Sequence, residues 1–349
     1  MKSKFFLISL LFFFFFFLFL MGKERKVREK IAVVSINVVA TDMKGRPIGN
    51  LTSDDFEVYD NGKKVPLIFF EKIAMPSNIV LMVDSSGSSY KRISIVKESI
   101  INFLDSIYRE KPQDRVAVVN FNEDINLLAD FKTSLLVKKA LIQNRIYAGG
   151  ATALYDAIDL VSSEILSKIP GRKIVIIYTD SIDNESIFQF KDIFKEAIST
   201  DATFYVVVVD NRREALKDAA ENFYSLRRKH YYEYLMFKKG MKLDGIKLFW
   251  TEDMRNQYDP KDVLDFIYKL SFTRLAKLAA YSGGEIFKVK NYNQISSVYG
   301  IIASSIPYHY TLGFKPNVEG LKRGTFRNIK VVVKRKGVNL RYRKGYFVR

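Results

Sequence analysis

Five oxygen-bearing side chains in three separated stretches carry the chemistry of this sequence. The run Asp84-Ser85-Ser86-Gly87-Ser88 places a carboxylate and two hydroxyls at every second position. That spacing lets Asp84, Ser86 and Ser88 point into one pocket, and Gly87 lets the backbone turn tightly. Thr152 lies in Gly149-Gly150-Ala151-Thr152-Ala153-Leu154-Tyr155-Asp156, and Asp180 in Tyr178-Thr179-Asp180-Ser181. All five groups are hard oxygen donors, which suit Mg2+, Mn2+ or Ca2+ rather than zinc or copper. Asp-x-Ser-x-Ser alone is a weak signal, because an acid and serines after a strand also cap the following helix.

The surrounding elements decide whether the three stretches can meet. From Asn78 onward short apolar strands alternate with longer helical stretches. The strands are 79–83, 116–121, 173–178, 203–209 and 285–289. The helices are 89–109, 154–167, 187–199 and 263–280, with a short antiparallel strand within 122–131. This alternation predicts a Rossmann-like, doubly wound, mostly parallel α/β sheet covered on both faces. Ligands of such sheets bind at the carboxyl ends of the strands. Asp84 and Asp180 both end a strand, and Thr152 precedes a helix, so all three stretches converge on that edge. The flanks differ. Residues 31–73 read as β, with Asn61-Gly62 as a hairpin turn, and from Pro307 the segments 308–314, 326–334 and 339–347 read as strands. Neither flank can build a core alone, so both are expected to pair into one β-sandwich-like domain.

The five-residue array resembles the metal-ion-dependent adhesion site (MIDAS) of von Willebrand factor A and integrin I domains, with all five positions matched. The resemblance implies that the serines coordinate the cation directly. The acids would act largely through water, and the threonine would join when ligand binds. It also implies a protein partner whose carboxylate completes the coordination shell. Ala40-Thr-Asp-Met-Lys-Gly-Arg-Pro47, Leu51–Asp60, Leu278-Ala-Ala-Tyr-Ser-Gly-Gly284 and Arg341–Phe347 are similar to segments of a bacterial group carrying a von Willebrand factor A-related domain. The expected organisation is a signal peptide or membrane anchor at 1–21, an N-terminal β region at 31–73, the A domain at 78–306, and a C-terminal β region at 307–349. Asp210 to about Leu264 is longer than this fold needs and forms a helical insertion at about 211–264. It follows a strand's carboxyl end, so it belongs near the metal edge. There it is either a partner-selecting cap, with Tyr231, Tyr232, Phe237 and Trp250 as candidate contacts, or an elaboration packed on its own core. Asp156 and Asp183 read as helix caps or supports of the site, and Tyr90 as packing.

Composition narrows the alternatives. The chain of 349 residues has no cysteine and two histidines, His230 and His309, far apart in sequence. Thiolate chemistry, disulfides and a histidine-rich metal site are excluded. Net charge is +18, and from Lys315 onward twelve Lys or Arg face one acid, Glu319. Such a surface attracts an anionic membrane or envelope polymer, although a solvated strand face explains it more simply, and no nucleic-acid motif accompanies it. Phosphate-binding loops and a Gly-x-Ser-x-Gly nucleophile are absent. A haloacid dehalogenase-like phosphatase needs a second acid where this chain has Ser86. The reading is therefore a non-enzymatic, metal-dependent binding protein. A metal-stabilised envelope scaffold is the alternative, and a magnesium-dependent hydrolase is a weaker one.

Residues Phe5–Met21 are uncharged and phenylalanine-rich, behind Lys2 and Lys4. This is an export signal or a membrane anchor. No small-x-small cleavage site follows, which favours an anchor. The basic flank Lys23–Lys30 opposes export by the positive-inside rule. Export is nevertheless expected, as anchored or secreted protein, because nothing else explains such a segment in an otherwise soluble chain.

Overall fold

The computed structural model describes residues 33–72, 76–143, 146–180, 182–221, 228–238, 240, 259–290, 293–306 and 310–348. The N-terminal apolar segment lies outside them. Among the described residues no helix is long and apolar enough to cross a membrane.

The sequence runs of Val, Ile and Leu form the centre of a six-stranded sheet. Its strands are β5 (Ser77–Asp84), β6 (Arg115–Phe121), β7 (Ile125–Thr133), β8 (Arg172–Thr179), β9 (Thr203–Val209) and β10 (Ile286–Val289), in the order β10-β9-β8-β5-β6-β7. All neighbours are parallel except β7, which returns antiparallel along β6. Period-two alternation sends Ile79, Leu81 and Val83 to one face and Val80 and Met82 to the other, and each face has its own core. On the first face lie α1 (Ile93–Glu110), α2 (Ser134–Gln143) and α8 (Gln294–Ser305). The second carries α3 (Leu154–Leu160), which continues as a π-helical turn to Leu166, α4 (Phe190–Ser199) and α7 (Pro260–Ser282). Helix α1 shows how this is written in sequence: Val96, Ile100, Phe103, Leu104 and Ile107 form one buried stripe at helical spacing. Helices α2 and α8 have no counterpart among the helices expected from the sequence; in α8 the buried stripe Ile295, Val298, Tyr299, Ile302 and Ala303 faces the sheet and its other side carries serines rather than charges.

The flanking β segments pair as their inability to form separate cores requires. The remaining strands are β1 (Val34–Asp42), β2 (Phe56–Asp60), β3 (Lys63–Val65), β4 (Phe69–Glu71), β11 (Tyr310–Phe314), β12 (Phe326–Val333), β13 (Val338–Tyr342) and β14 (Gly345–Phe347). They form two four-stranded sheets, β13-β1-β11-β4 and β14-β12-β2-β3. N-terminal β1 lies between C-terminal β13 and β11, and β2 lies beside β12. Ile36, Val38, Phe56, Val58, Leu312, Phe314, Ile329 and Val331 share one core between the sheets. Asn61 and Gly62 both have positive φ, at 49° and 86°, and turn β2 into β3 as a two-residue hairpin. Asp60 is buried and accepts from Arg327 Nε and Nη2, each at 2.9 Å, and from the Tyr346 hydroxyl at 3.1 Å, which ties β2, β12 and β14 together. The expected single strand 339–347 is broken at Arg343-Lys344, where Arg343 pairs with Asp201 and the Lys344 N–H donates to the Tyr281 carbonyl. Asp201 precedes β9, so the sandwich meets the α/β layers near the amino ends of the strands and leaves the carboxyl edge clear of it.

The segment after β9 forms α5 (Arg212–Glu221) and α6 (Arg228–Glu233), which passes into a π-helical turn, Tyr234–Lys238. Tyr231, Tyr234 and Leu235 pack against Val263, Leu264, Ile267 and Tyr268 of α7, with Ile182 beside them. Helix α7 thus serves two cores, one with its N-terminal half and one with Leu275, Leu278 and Ala279 on the sheet. Its ends are defined by Asp259, which accepts the Lys261 N–H at 2.8 Å, by Pro260, and by Gly283 at φ 86°.

Candidate metal centre

Strand β5 is buried on both faces and delivers its last residue, Asp84, to the carboxyl edge. The chain then turns through a 3-10 helix, Gly87–Ser89, which folds the following serines back over the strand end. The Ser86 backbone N–H and hydroxyl both donate to Asp84 Oδ1, at 3.0 and 2.6 Å. Ser86 Oγ and Ser88 Oγ are 3.1 Å apart, and the Ser88 side chain hydrogen-bonds Asp180. Asp84, Ser86, Ser88 and Asp180 therefore form one continuous polar chain.

Backbone bonds stitch the three loops together. Gly87 N–H donates to the Gly150 carbonyl at 3.0 Å, and Gly149 N–H to the Ser85 carbonyl at 2.9 Å. The second loop is bound in turn to the third. The Thr152 carbonyl accepts from Asn184 N–H at 3.0 Å and Glu185 N–H at 3.1 Å, while Thr152 N–H donates to Asn184 Oδ1 at 2.7 Å. Thr152 is buried between its neighbours on this edge. Gly150 has φ 71°, and a Cβ there would meet the Glu123 side chain at 2.8 Å, so the loop needs glycine.

Supporting residues had little signal in the sequence. The Thr179 hydroxyl donates to Asp84 Oδ2 at 2.7 Å. Asn211 Nδ2 reaches Asp180 Oδ2 at 3.4 Å, while Asn211 Oδ1 accepts from Arg92 at 3.2 Å, and Arg92 also pairs with Glu214 of α5. Thr179 and Asn184 each neighbour a singled-out residue, whereas Asn211 and Arg92 are distant in sequence from what they hold. Asp183 Oδ1 accepts the Tyr155 N–H at 3.2 Å, in the first turn of α3, and Asp156 accepts the Ile187 and Phe188 N–H groups at 3.0 and 2.9 Å. Both acids brace the loops around Thr152.

Asp84 and Asp180 are both buried. Burial first, and then the nearness of Asp180, pushes the Asp84 carboxyl up to about 7. Burial likewise raises Asp180, against the pull of Ser88, Ile182 N–H, Asn211 and Arg92. Two carboxylates enclosed together resist carrying two charges unless a cation offsets them. Among the described residues no three His, Cys, Asp or Glu side chains are grouped to hold a metal. The donor set here is of another kind, two acids and three hydroxyls, and it fits a hard dication with few protein charges.

Other candidates fall in different places. Tyr90, read as packing, is 72% exposed because the 3-10 turn carries it outward. Tyr231, a candidate partner contact, is 1% exposed and belongs to the core of the insertion, because helical spacing puts it on the side facing α7. Phe237 is 58% exposed. The side chain of Tyr232 and all of Trp250 lie outside the described residues.

An open, mostly parallel sheet flanked by helices, with acids and hydroxyls gathered at its carboxyl edge, defines a doubly wound α/β module. Residues 78–236 match the von Willebrand factor type A domain family, and this chain carries a domain of that family. Helices α7 and α8 and strand β10 complete the layers beyond the matched residues. No curated protein matches the sequence. Among solved structures, a von Willebrand factor type A protein from Catenulispora acidiphila is similar at 13% identity and TM-score 0.42, covering 89% of this chain and 72% of that one. BatB from Bacteroides thetaiotaomicron is similar at 15% identity and TM-score 0.40, over 66% of this chain and 98% of that one. Proximal thread matrix protein 1 from the mussel byssus is similar at 12% identity and TM-score 0.44, over 70% of this chain. This chain spans about half the length of the byssus protein.

Proposed function

We propose that this chain is an exported binding protein that grips a carboxylate of a protein partner at a divalent cation held by Asp84, Ser86, Ser88, Thr152 and Asp180. The observation that carries the reading is the pair of buried acids, Asp84 and Asp180, joined through the Ser86 and Ser88 hydroxyls on the ligand edge of the sheet. When bound, Mg2+, Mn2+ or Ca2+ supplies a positive point at which an outside acid can bind. Asp84 and Asp180 supply the opposing charge. Thr179 and Asn211 hold those carboxylates in place, and the Asn184 amide holds the Thr152 loop. A binding role is favoured over catalysis because the acids beside the site hydroxyls, Asp84 and Asp180, are the groups that would hold the cation, and His230 is buried in the insertion. The support for export is the apolar Phe5–Met21 segment. Exposed Lys322, Arg323, Lys330, Lys334, Arg335 and Lys336 would add attraction to an anionic membrane or envelope polymer.

A metal-stabilised scaffold is the second reading. It is favoured by the way chain donors occupy both oxygens of Asp84 and thereby pin the strand end to the loop that follows it and to the end of β8. Calorimetric titration of the full chain with Mg2+ and Mn2+, with Asp84→Ala as control, tests the site. Saturable uptake lost in the variant, with folding retained and partner capture abolished by chelator, is expected. Loss of folding alone would favour the scaffold, and no uptake by the wild-type chain would refute both.

A further inference from the structure

Beside Tyr155, in the first turn of α3, the surface opens into a groove of about 430 Å³, between the loop 183–189 and the insertion. Its rim carries Ile187, Phe188, Met236 and Phe237, all exposed, with Ile187 at 90%. Four exposed large apolar side chains around one groove are unusual on a surface and mark a contact site. Its volume lies toward the small end of ligand sites, which run to ~300–1,000 Å³, and suits one or two large side chains.

Resting on the cation reading above, we propose that this groove is the second half of the partner site. It receives a large apolar side chain of the segment whose carboxylate meets the metal centre. Two observations select this occupant. The groove is continuous with the metal loops: Ser186 Oγ accepts from Tyr155 N–H at 3.0 Å and Asp156 N–H at 3.1 Å, on the helix that Thr152 precedes. Loop 183–189 therefore braces Thr152 with Asn184 and walls the groove with Ile187 and Phe188. Charge selects the rest. The charged lining residues, Glu233 and Arg274, neutralise each other at 2.7 Å, and the Arg274 guanidinium also lies over the Phe237 ring at 5.7 Å. The groove offers an incoming ion no unmatched charge, whereas a chain of net charge +18 favours an acidic segment overall. The partner motif is thus bipartite, an acid followed or preceded within a few residues by an aromatic or large aliphatic side chain.

Labelled Gly-Asp-Gly-Gly-X-Gly peptides, together with a series of shorter and longer spacers, can be titrated by fluorescence anisotropy into the full-length chain in magnesium. With X as Phe or Leu, binding is expected to be about tenfold tighter or more than with Ser, from burial of one apolar side chain, and Lys no better than Ser. Ile187→Ser and Phe237→Ser remove exposed side chains and should collapse the Phe-to-Ser ratio toward unity. Equal affinity of Phe and Ser peptides, both lost in chelator, would overturn the groove and leave the metal site standing. A Phe preference that survives both variants would also overturn it. Absence of peptide binding together with absence of magnesium uptake would remove both readings. Self-association of the chain that Ile187→Ser abolishes would assign the groove to a second copy instead.

Discussion

The Thr179 hydroxyl donates to Asp84 Oδ2 at 2.7 Å across neighbouring parallel strands. Oδ1 is already claimed by Ser86, so Thr179 decides where the second oxygen points. Thr179→Val keeps the shape and removes the donor. Residues that orient metal ligands typically contribute ~10–100-fold in affinity, and a loss of that order in Mn2+ binding is expected, read by calorimetry or paramagnetic resonance. Unchanged affinity would mean that Thr179 is a packing residue only.

The burial of Asp84 beside Asp180 leads to opposite effects in two buffers. In chelator, Asp84→Asn removes a charge that burial and its neighbour both oppose, so the variant should melt a few degrees above the wild type. In excess magnesium the wild type gains stability by binding and the variant does not, so the order should invert. Differential scanning fluorimetry in the two buffers reads both. Parallel melts under the two conditions would argue that no cation is held here.

The insertion is fastened to the rest of the domain by Arg274 of α7, which donates to Glu233 of α6 at 2.7 Å and to the Tyr155 hydroxyl of α3 at 3.3 Å. Both charged side chains are largely buried. Breaking a buried pair by removing one partner costs ~3–5 kcal/mol. Arg274→Ala should fall toward the lower figure, because water can reach part of the pair. Urea unfolding measures the loss, and hydrogen exchange should show α6 losing protection first. Uniform exchange across the domain would count against a local tether.

Asp210, at the end of β9, predicts a pH effect. Hydrogen bonds from Arg212 and then Lys288 hold its carboxyl well below the usual carboxylate range, against some desolvation. A depressed folded-state value contributes stability above the unfolded value, near pH ~4, and that contribution is lost as pH falls through the folded value. The stability gap between wild type and Asp210→Asn should therefore be full at neutral pH and shrink in acid below about pH 4. Denaturation midpoints across that range test it, and a gap independent of pH would refute the assignment.

Much of the candidate site was legible because its signals are local. A strand ending in Asp84, a tight turn at Gly87 and hydroxyls on alternate residues depend on neighbours in the chain. The alternation of apolar strands and helices likewise announced the doubly wound sheet, since each strand's burial on two faces is written as a continuous Val/Ile/Leu run. The pairing of the two β flanks also followed from a physical requirement, the need of each for a shared core.

Distance in sequence hid the rest. Asn211 and Arg92 support Asp180 from other elements, and only the assembled sheet with its helices brings them within bonding reach. Tyr231 and Phe237 look alike as aromatic residues among basic neighbours. Helix rotation buries the first against α7 and exposes the second beside the groove. Tyr90 turns outward because the 3-10 turn after β5, not its own polarity, sets its direction. Local residue pattern thus determined the types of element and the ligand-bearing strand ends. Side-chain direction and partnership between remote residues were decided by packing, which sums contacts that no short stretch of chain contains.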